Sequence, residues 1–177
     1  MYFLPSLEIR NPQPALLILL ILTFMESLIF RTASIDDLPT LLEFEQGVIT
    51  AERPFNPTLK AEKIHYYDIQ KLIESDQSTV IVGVIKGQII TSGYVKILAA
   101  KPHLQYTHYA YLGFMYVLPD FRGKGINKLL LDKLITWAKV RDIQEVRLDV
   151  YHDNLAALRA YEKAGFKRLL VEMRLEI

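Results

Sequence analysis

Arg122-Gly123-Lys124-Gly125-Ile126-Asn127 is the run of this chain best suited to holding a charged ligand. It follows Pro119-Asp120-Phe121 and lies between a β-rich stretch and a long helical one. A strand-to-helix junction gathers backbone N–H groups that have no intrahelical acceptor. The helix dipole adds partial positive charge at the same place. Gly123 and Gly125 carry no Cβ, so the backbone can come close to an anion. Arg122, Lys124 and Lys128 add positive charge. A phosphate or pyrophosphate is the natural guest. Two familiar phosphate motifs fit poorly. A P-loop needs Ser or Thr after its lysine, and Gly125 follows Lys124. A dinucleotide fingerprint needs a third glycine where Lys128 stands. Taken alone, the turn serves equally well as an ordinary strand-to-helix connection.

A second constellation follows one strand later. It comprises Asn154, Ala157, Tyr161 and Gly165-Phe166. Asn154 and Tyr161 are seven apart and share a helical face, with the small Ala157 between them. By itself this pattern suits a core helix with a packed tyrosine and a glycine stop.

The elements that must position these residues can be read from periodicity. Ser27–Thr32 is a short strand. Ser34 opens a helix, with Asp37 at capping-box spacing and Ile35, Leu38, Leu41 and Leu42 on one face. Residues 53–57 are loop. Thr58–Ser75 is expected to be a second helix, with Tyr66, Ile69, Leu72 and Ile73 on one face. Thr79–Ile85 and Gln88–Leu98 form a hairpin turning at Lys86-Gly87. Tyr109–Val117 is a strand. Ile126, Leu130, Leu134 and Trp137 mark an amphipathic helix. Val146–Tyr151 is a strand, Asn154–Ala164 a helix ended by Gly165, and Phe166–Ile177 one or two closing strands. This order implies a mixed sheet with helices on both faces.

In their order and separation the two constellations resemble the GCN5-related N-acetyltransferase (GNAT) family. Arg122-x-x-Gly125-x-Asn127 resembles its Gln/Arg-x-x-Gly-x-Gly/Ala turn, with Asn127 replacing a small residue. Asn154-x-x-Ala157-x-x-x-Tyr161-x-x-x-Gly165-Phe166 is similar to its second cofactor motif. The resemblance runs from about Tyr109 to Phe166, and more loosely from Leu28 onward. It implies an α/β (α+β) fold with a mixed, mostly antiparallel sheet and a splayed pair of parallel strands, Tyr109–Val117 and Val146–Tyr151. It also implies transfer of an acetyl group from acetyl-CoA to an amine, by direct attack in a ternary complex. The cofactor-binding residues would be Met115, Tyr116, Val117, Arg122, Gly123, Lys124, Gly125, Ile126, Asn127, Lys128, Asn154 and Tyr161. Met115 and Val117 would offer backbone groups to the pantetheine arm, and Tyr161 would be the general acid. Many members carry a carboxylate on the strand before the turn. Tyr111-Leu112-Gly113-Phe114-Met115-Tyr116-Val117 has none, so the base is unassigned and a non-catalytic acyl-CoA-binding module is the rival function.

Composition narrows the partners. The 177 residues carry a net charge of +1, are 51% hydrophobic and 23% charged, and include no cysteine. That suits one domain, gives no footprint for nucleic acid, and excludes a thiolate nucleophile or a disulfide scaffold. The four histidines show no metal spacing, so no metal is expected. Tyr66, Tyr67, Tyr109, Tyr111 and Tyr116 are candidates for substrate-pocket or core positions. Glu43 and Glu45 are read as the solvated face of the first helix rather than as contacts to a cationic amine. Ala15–Met25 is an apolar run about half the ~20 residues a membrane span needs. A secretory signal would need a small-x-small cleavage pattern, and none follows. Residues 1–24 are therefore expected to be a dispensable extension before a start at Met25, with 25–177 forming a single acetyltransferase domain. A cytoplasmic protein follows, with membrane attachment as the lesser option and a homodimer left open.

Overall fold

The structure, a computed structural model, describes residues 27–177. The apolar run at 15–25 and the expected start at Met25 lie outside the described residues. The elements are β1 (Ile29–Thr32), α1 (Leu38–Glu52), α2 (Ile69–Glu74), β2 (Ser78–Ile85), β3 (Gln88–Ala99), β4 (His108–Val117), α3 (Ile126–Lys139), β5 (Val146–Arg147) and α4 (Leu155–Lys163). Three short 3₁₀ turns precede α1, follow it, and lead from β4 toward α3.

Among the described residues five strands form one sheet in chain order, β1-β2-β3-β4-β5. The first three pairings are antiparallel and β4–β5 is parallel. β2 and β3 turn at Lys86 (φ 49°) and Gly87 (φ 80°), the two left-handed residues that a type I′ hairpin requires. Alternation along the strands feeds two core layers. Val80, Val82, Tyr94 and Phe114 pack under α1 and α2, with Leu41, Phe44 and Ile69. Ile81, Val95, Ala110 and Leu112 pack under α3, against its buried Leu130, Leu131, Leu134 and Ala138. Each fully buried leucine there contributes roughly 2 kcal/mol.

Four expectations need correction. The helix expected at Thr58–Ser75 exists only as Ile69–Glu74. Glu45 of α1 accepts hydrogen bonds from the backbone N–H groups of Tyr66 (2.6 Å) and Tyr67 (2.9 Å), which draws residues 65–67 out of any helix. Asp68 then caps the short helix that remains, accepting from Lys71 N at 3.0 Å. Glu45 itself is fully buried, not on a solvated face, and also meets His65 Nδ1 at 2.6 Å. The strand expected at Val146–Tyr151 pairs only at Val146 and Arg147. The chain then leaves the sheet. Leu148 goes to the core under α3, and Asp149 accepts a hydrogen bond from the Tyr111 hydroxyl at 2.7 Å. Residues 166–177 form no strand, because a two-residue β5 offers little ladder to extend. Phe166 still packs edge-on to Tyr161 at 6.0 Å.

Candidate active site

β4 and β5 part immediately after they meet. Ala110 pairs with Val146 and Tyr111 with Arg147, and no pairing follows toward Val117. The rest of β4 therefore presents a free backbone edge to a cleft.

That edge is bent. Between Tyr94↔Gly113 and Ser92↔Tyr116, β4 advances three residues while β3 advances two, so β4 carries one extra residue. Phe114 takes φ 58° there, an uncommon value for an aromatic residue. The strain is held by packing and hydrogen bonds. The Phe114 ring is buried beside Tyr67, at 5.3 Å. Ser92 Oγ donates to Phe114 O at 3.4 Å, and Thr91 Oγ1 donates to Tyr116 O at 2.6 Å. A bulge of this kind re-aims backbone groups that would otherwise lie in the ladder.

The glycine turn follows directly. Gly123 (φ 75°) and Gly125 (φ 78°) are left-handed, and open space lies where a Cβ would stand at either. Gly125 is the N-cap of α3, so the amides of Ile126 and Asn127 open the helix without intrahelical acceptors. Alternating left-handed residues before a helix make a concave array of N–H donors suited to an anion. The side chains are used differently from what the sequence suggests. Arg122 Nε donates to Val117 O at 2.9 Å, with its guanidinium 5.6 Å from the Tyr116 ring. Lys124 Nζ donates to Asp120 O at 2.9 Å, and Lys128 pairs with Asp132 at 2.8 Å. The first two cations brace the turn. Ile126 is buried in the core and offers only its backbone. Of the expected β4 contacts, Val117 already has its carbonyl engaged by Arg122, while Met115 sits at the bulge.

Asn154 caps α4, its Oδ1 accepting from Ala157 N at 3.1 Å, which leaves its amide nitrogen as the remaining donor. Tyr161 lies about two turns beyond Asn154 on the same helix and, like Met115 and Leu148, packs against the core under α3. Burial, then the charge of Glu52, push its phenol up to about 12.

Glu52 is the residue that sequence reasoning missed. It ends α1 and is half-buried. Burial raises its carboxyl above the ordinary range, against the opposing effect of Tyr66. The same carboxylate acts on Tyr66, Tyr67 and Tyr161, so four titratable side chains share one region. The Tyr66 hydroxyl is buried and faces Glu52 and Tyr151. Tyr151, from the segment past β5, closes the group by stacking on Phe55 at 6.2 Å and accepting from Asn56 Nδ2 at 3.2 Å. A signal existed. Leu41, Glu45, Val48 and Glu52 recur at helical spacing, so both carboxylates lie on the stripe of α1 that faces the core.

Among the described residues, no group of three His, Asp or Glu side chains could hold a metal ion, and no helix is long and apolar enough to cross a membrane.

The family model for the acetyltransferase (GNAT) family matches residues 43–166. A protein of Methanocaldococcus jannaschii named as an uncharacterized N-acetyltransferase is 42% identical over 53 residues, which is 30% of this chain and 24% of that relative. The match thus spans about a quarter of the relative's length. Among solved structures, a tetramutant of the BH1408 protein from Bacillus halodurans is similar with a TM-score of 0.77 at 22% identity, covering 84% of this chain and 99% of that one. A predicted acetyltransferase with acetyl-CoA from Clostridium acetobutylicum is similar with a TM-score of 0.65 at 21% identity, covering 84% and 96%. At these identities the two structures speak for the fold.

Proposed function

Because the chain belongs to the GNAT family of acetyltransferases, we propose that it moves an acetyl group from acetyl-CoA to a primary amine, with both substrates held at once beside β4. The observation that carries this is the cleft itself. Two parallel strands meet at two positions and part, leaving a bulged, free backbone edge that leads into an anion-binding turn.

The residues present fit coenzyme A. The left-handed glycines and the first amides of α3 would take its pyrophosphate. The free edge of β4 around Met115 would take the amide-containing arm as an added strand. Asn154 would offer its amide nitrogen from the start of α4. Acetyl-CoA supplies an activated thioester, and the chain supplies position and protons. The bulge at Phe114 would aim a backbone N–H at the oxygen that gains charge during attack. Glu52, a half-buried carboxylate whose charge acts on Tyr161 and Tyr67, would accept the amine's proton.

Tyr161 would serve the leaving sulfur. With its phenol at about 12 it stays protonated throughout the neutral range. A thiol is more acidic, ~8.5 in reference peptides, so complete proton transfer from Tyr161 runs uphill. Its role is then hydrogen-bond donation as negative charge develops on sulfur.

The test is acetyl-CoA-dependent acetylation of an amine panel, followed by Tyr161→Phe, which keeps the ring and removes the hydroxyl. Turnover is expected to fall ~10- to 100-fold at saturating acetyl-CoA, with CoA affinity within about twofold of the parent. Unchanged turnover with chemistry rate-limiting would leave Tyr161 a packing role only. Binding of acetyl-CoA without acetylation of any amine would favour the rival, a non-catalytic acyl-CoA-binding module. The lack of a carboxylate on β4 is the observation that keeps it in play.

A further inference from the structure

A second feature on the α1–α2 side of the sheet bears on the acceptor. A cavity of about 580 Å³ is lined by Tyr66, Tyr67, Tyr94, Tyr111, Lys71 and Lys96, among others. That is the size of a small-molecule pocket. It adjoins the reaction region through two of its walls. Tyr111 is the last β4 residue paired with β5, and the Tyr67 ring stands 5.3 Å from Phe114 at the bulge.

Lys96 is the unusual member. It is half-buried on β3, two residues from Tyr94 and on the same face. Its ammonium lies 5.5 Å from the Tyr94 ring centroid and 5.6 Å from that of Tyr111. Among the described residues no carboxylate lies within 4.0 Å of it. Ring faces attract the charge but leave its three N–H donors without strong acceptors. The nearby carboxylates are otherwise engaged. Asp149 accepts from the Tyr111 hydroxyl, and Asp68, also on the cavity wall, caps α2. Lys71 adds a second cation to the wall. Lys96 pairs with Tyr111, three residues before Phe114 on β4, and its same-face neighbour Tyr94 pairs with Gly113 at the edge of the bulge.

From this juxtaposition we infer that the acceptor is a small amine bearing an anionic group, with its amine at the β4 bulge and its anion held by Lys96 over the tyrosine rings. The inference rests on the acetyltransferase reading and narrows its substrate class.

Matched pairs test it: 6-aminohexanoate against hexylamine, and β-alanine against propylamine. Each pair shares chain length and differs in the carboxylate. CoA release and acetylated product are measured together. The parent protein is expected to favour the anionic member of at least one pair by tenfold or more in kcat/KM, chiefly through KM. In Lys96→Met that ratio should fall to within about twofold of unity, and in Lys96→Arg it should largely survive. Equal use of both members by the parent, or a preference that persists in Lys96→Met, would overturn the inference while leaving the acetyltransferase reading intact. If no amine in either pair or in the wider panel is acetylated, both fall together.

Discussion

Gly125→Asp is expected to weaken acetyl-CoA binding at least 100-fold. Gly125 combines φ 78° with open space at its Cβ position and caps α3. A side chain there would project toward the region where the proposed pyrophosphate sits. Two like charges at 4 Å repel by roughly 4 kcal/mol at an effective dielectric of 20, and a 100-fold loss needs only about 2.7 kcal/mol. Gly125→Asn separates charge from shape. Asparagine shares aspartate's size and tolerance of left-handed backbone, so its loss should stay within about tenfold. Calorimetric titration with acetyl-CoA reads both variants. Equal affinities for the aspartate and asparagine variants would place the pyrophosphate elsewhere.

Glu52→Gln is expected to lower kcat by ~10²–10⁴, the usual range for a lost general base. Glutamine keeps the side chain's shape, so the fold should survive. The pH profile gives the sharper readout. Because burial holds the Glu52 carboxyl above the ordinary range, activity of the parent should rise with pH through that raised value, as the base ionises. Deprotonation of an alkylamine acceptor, near ~10, would add a limb of its own in the alkaline range. The lower limb should vanish in Glu52→Gln. If it persists, another group takes the proton. Stability runs the opposite way. The folded carboxyl prefers its proton, so its contribution is complete at low pH and is lost as pH rises through the raised value.

Local chemistry decides which parts of this molecule could be read before folding it. Lys86-Gly87 announced its hairpin because two left-handed residues between β-rich runs have few other uses. Gly123 and Gly125 announced the turn for the same conformational reason. The capping contact of Ser34 with Asp37 is present, Ser34 N donating to Asp37 Oδ2 at 2.8 Å, and Arg31 grips the same carboxylate at 2.6 and 2.8 Å. The bulge at Phe114 was invisible. An aromatic residue in a strand carries no mark of positive φ, and the strain there is sustained by Ser92, Thr91 and Tyr67, all distant in sequence. Residues 58–67 failed as a helix for a similar reason. A buried carboxylate 21 positions before Tyr66 outbids local propensity for its backbone N–H. Glu45 and Glu52 were legible in principle, since both fall on the apolar stripe of α1. Their charge masks that spacing, because glutamate is seldom buried unless it has partners.

The strand order has a kinetic side. From β2 to β4 each strand pairs with its neighbour in the chain through a short loop, so this meander can close at little entropic cost, while β1 joins β2 across α1 and α2. β5 must wait for α3 to be made and docked, and then holds β4 at only two positions. The seam between the early-folding and late-folding halves is therefore the cleft. Amides of β2 and β3 should exchange with solvent only on global unfolding, and those around Val146 by cheaper local opening. Equal protection at both places would refute this. The part of the molecule proposed to part and close around two substrates is then the part whose folding is least costly to undo.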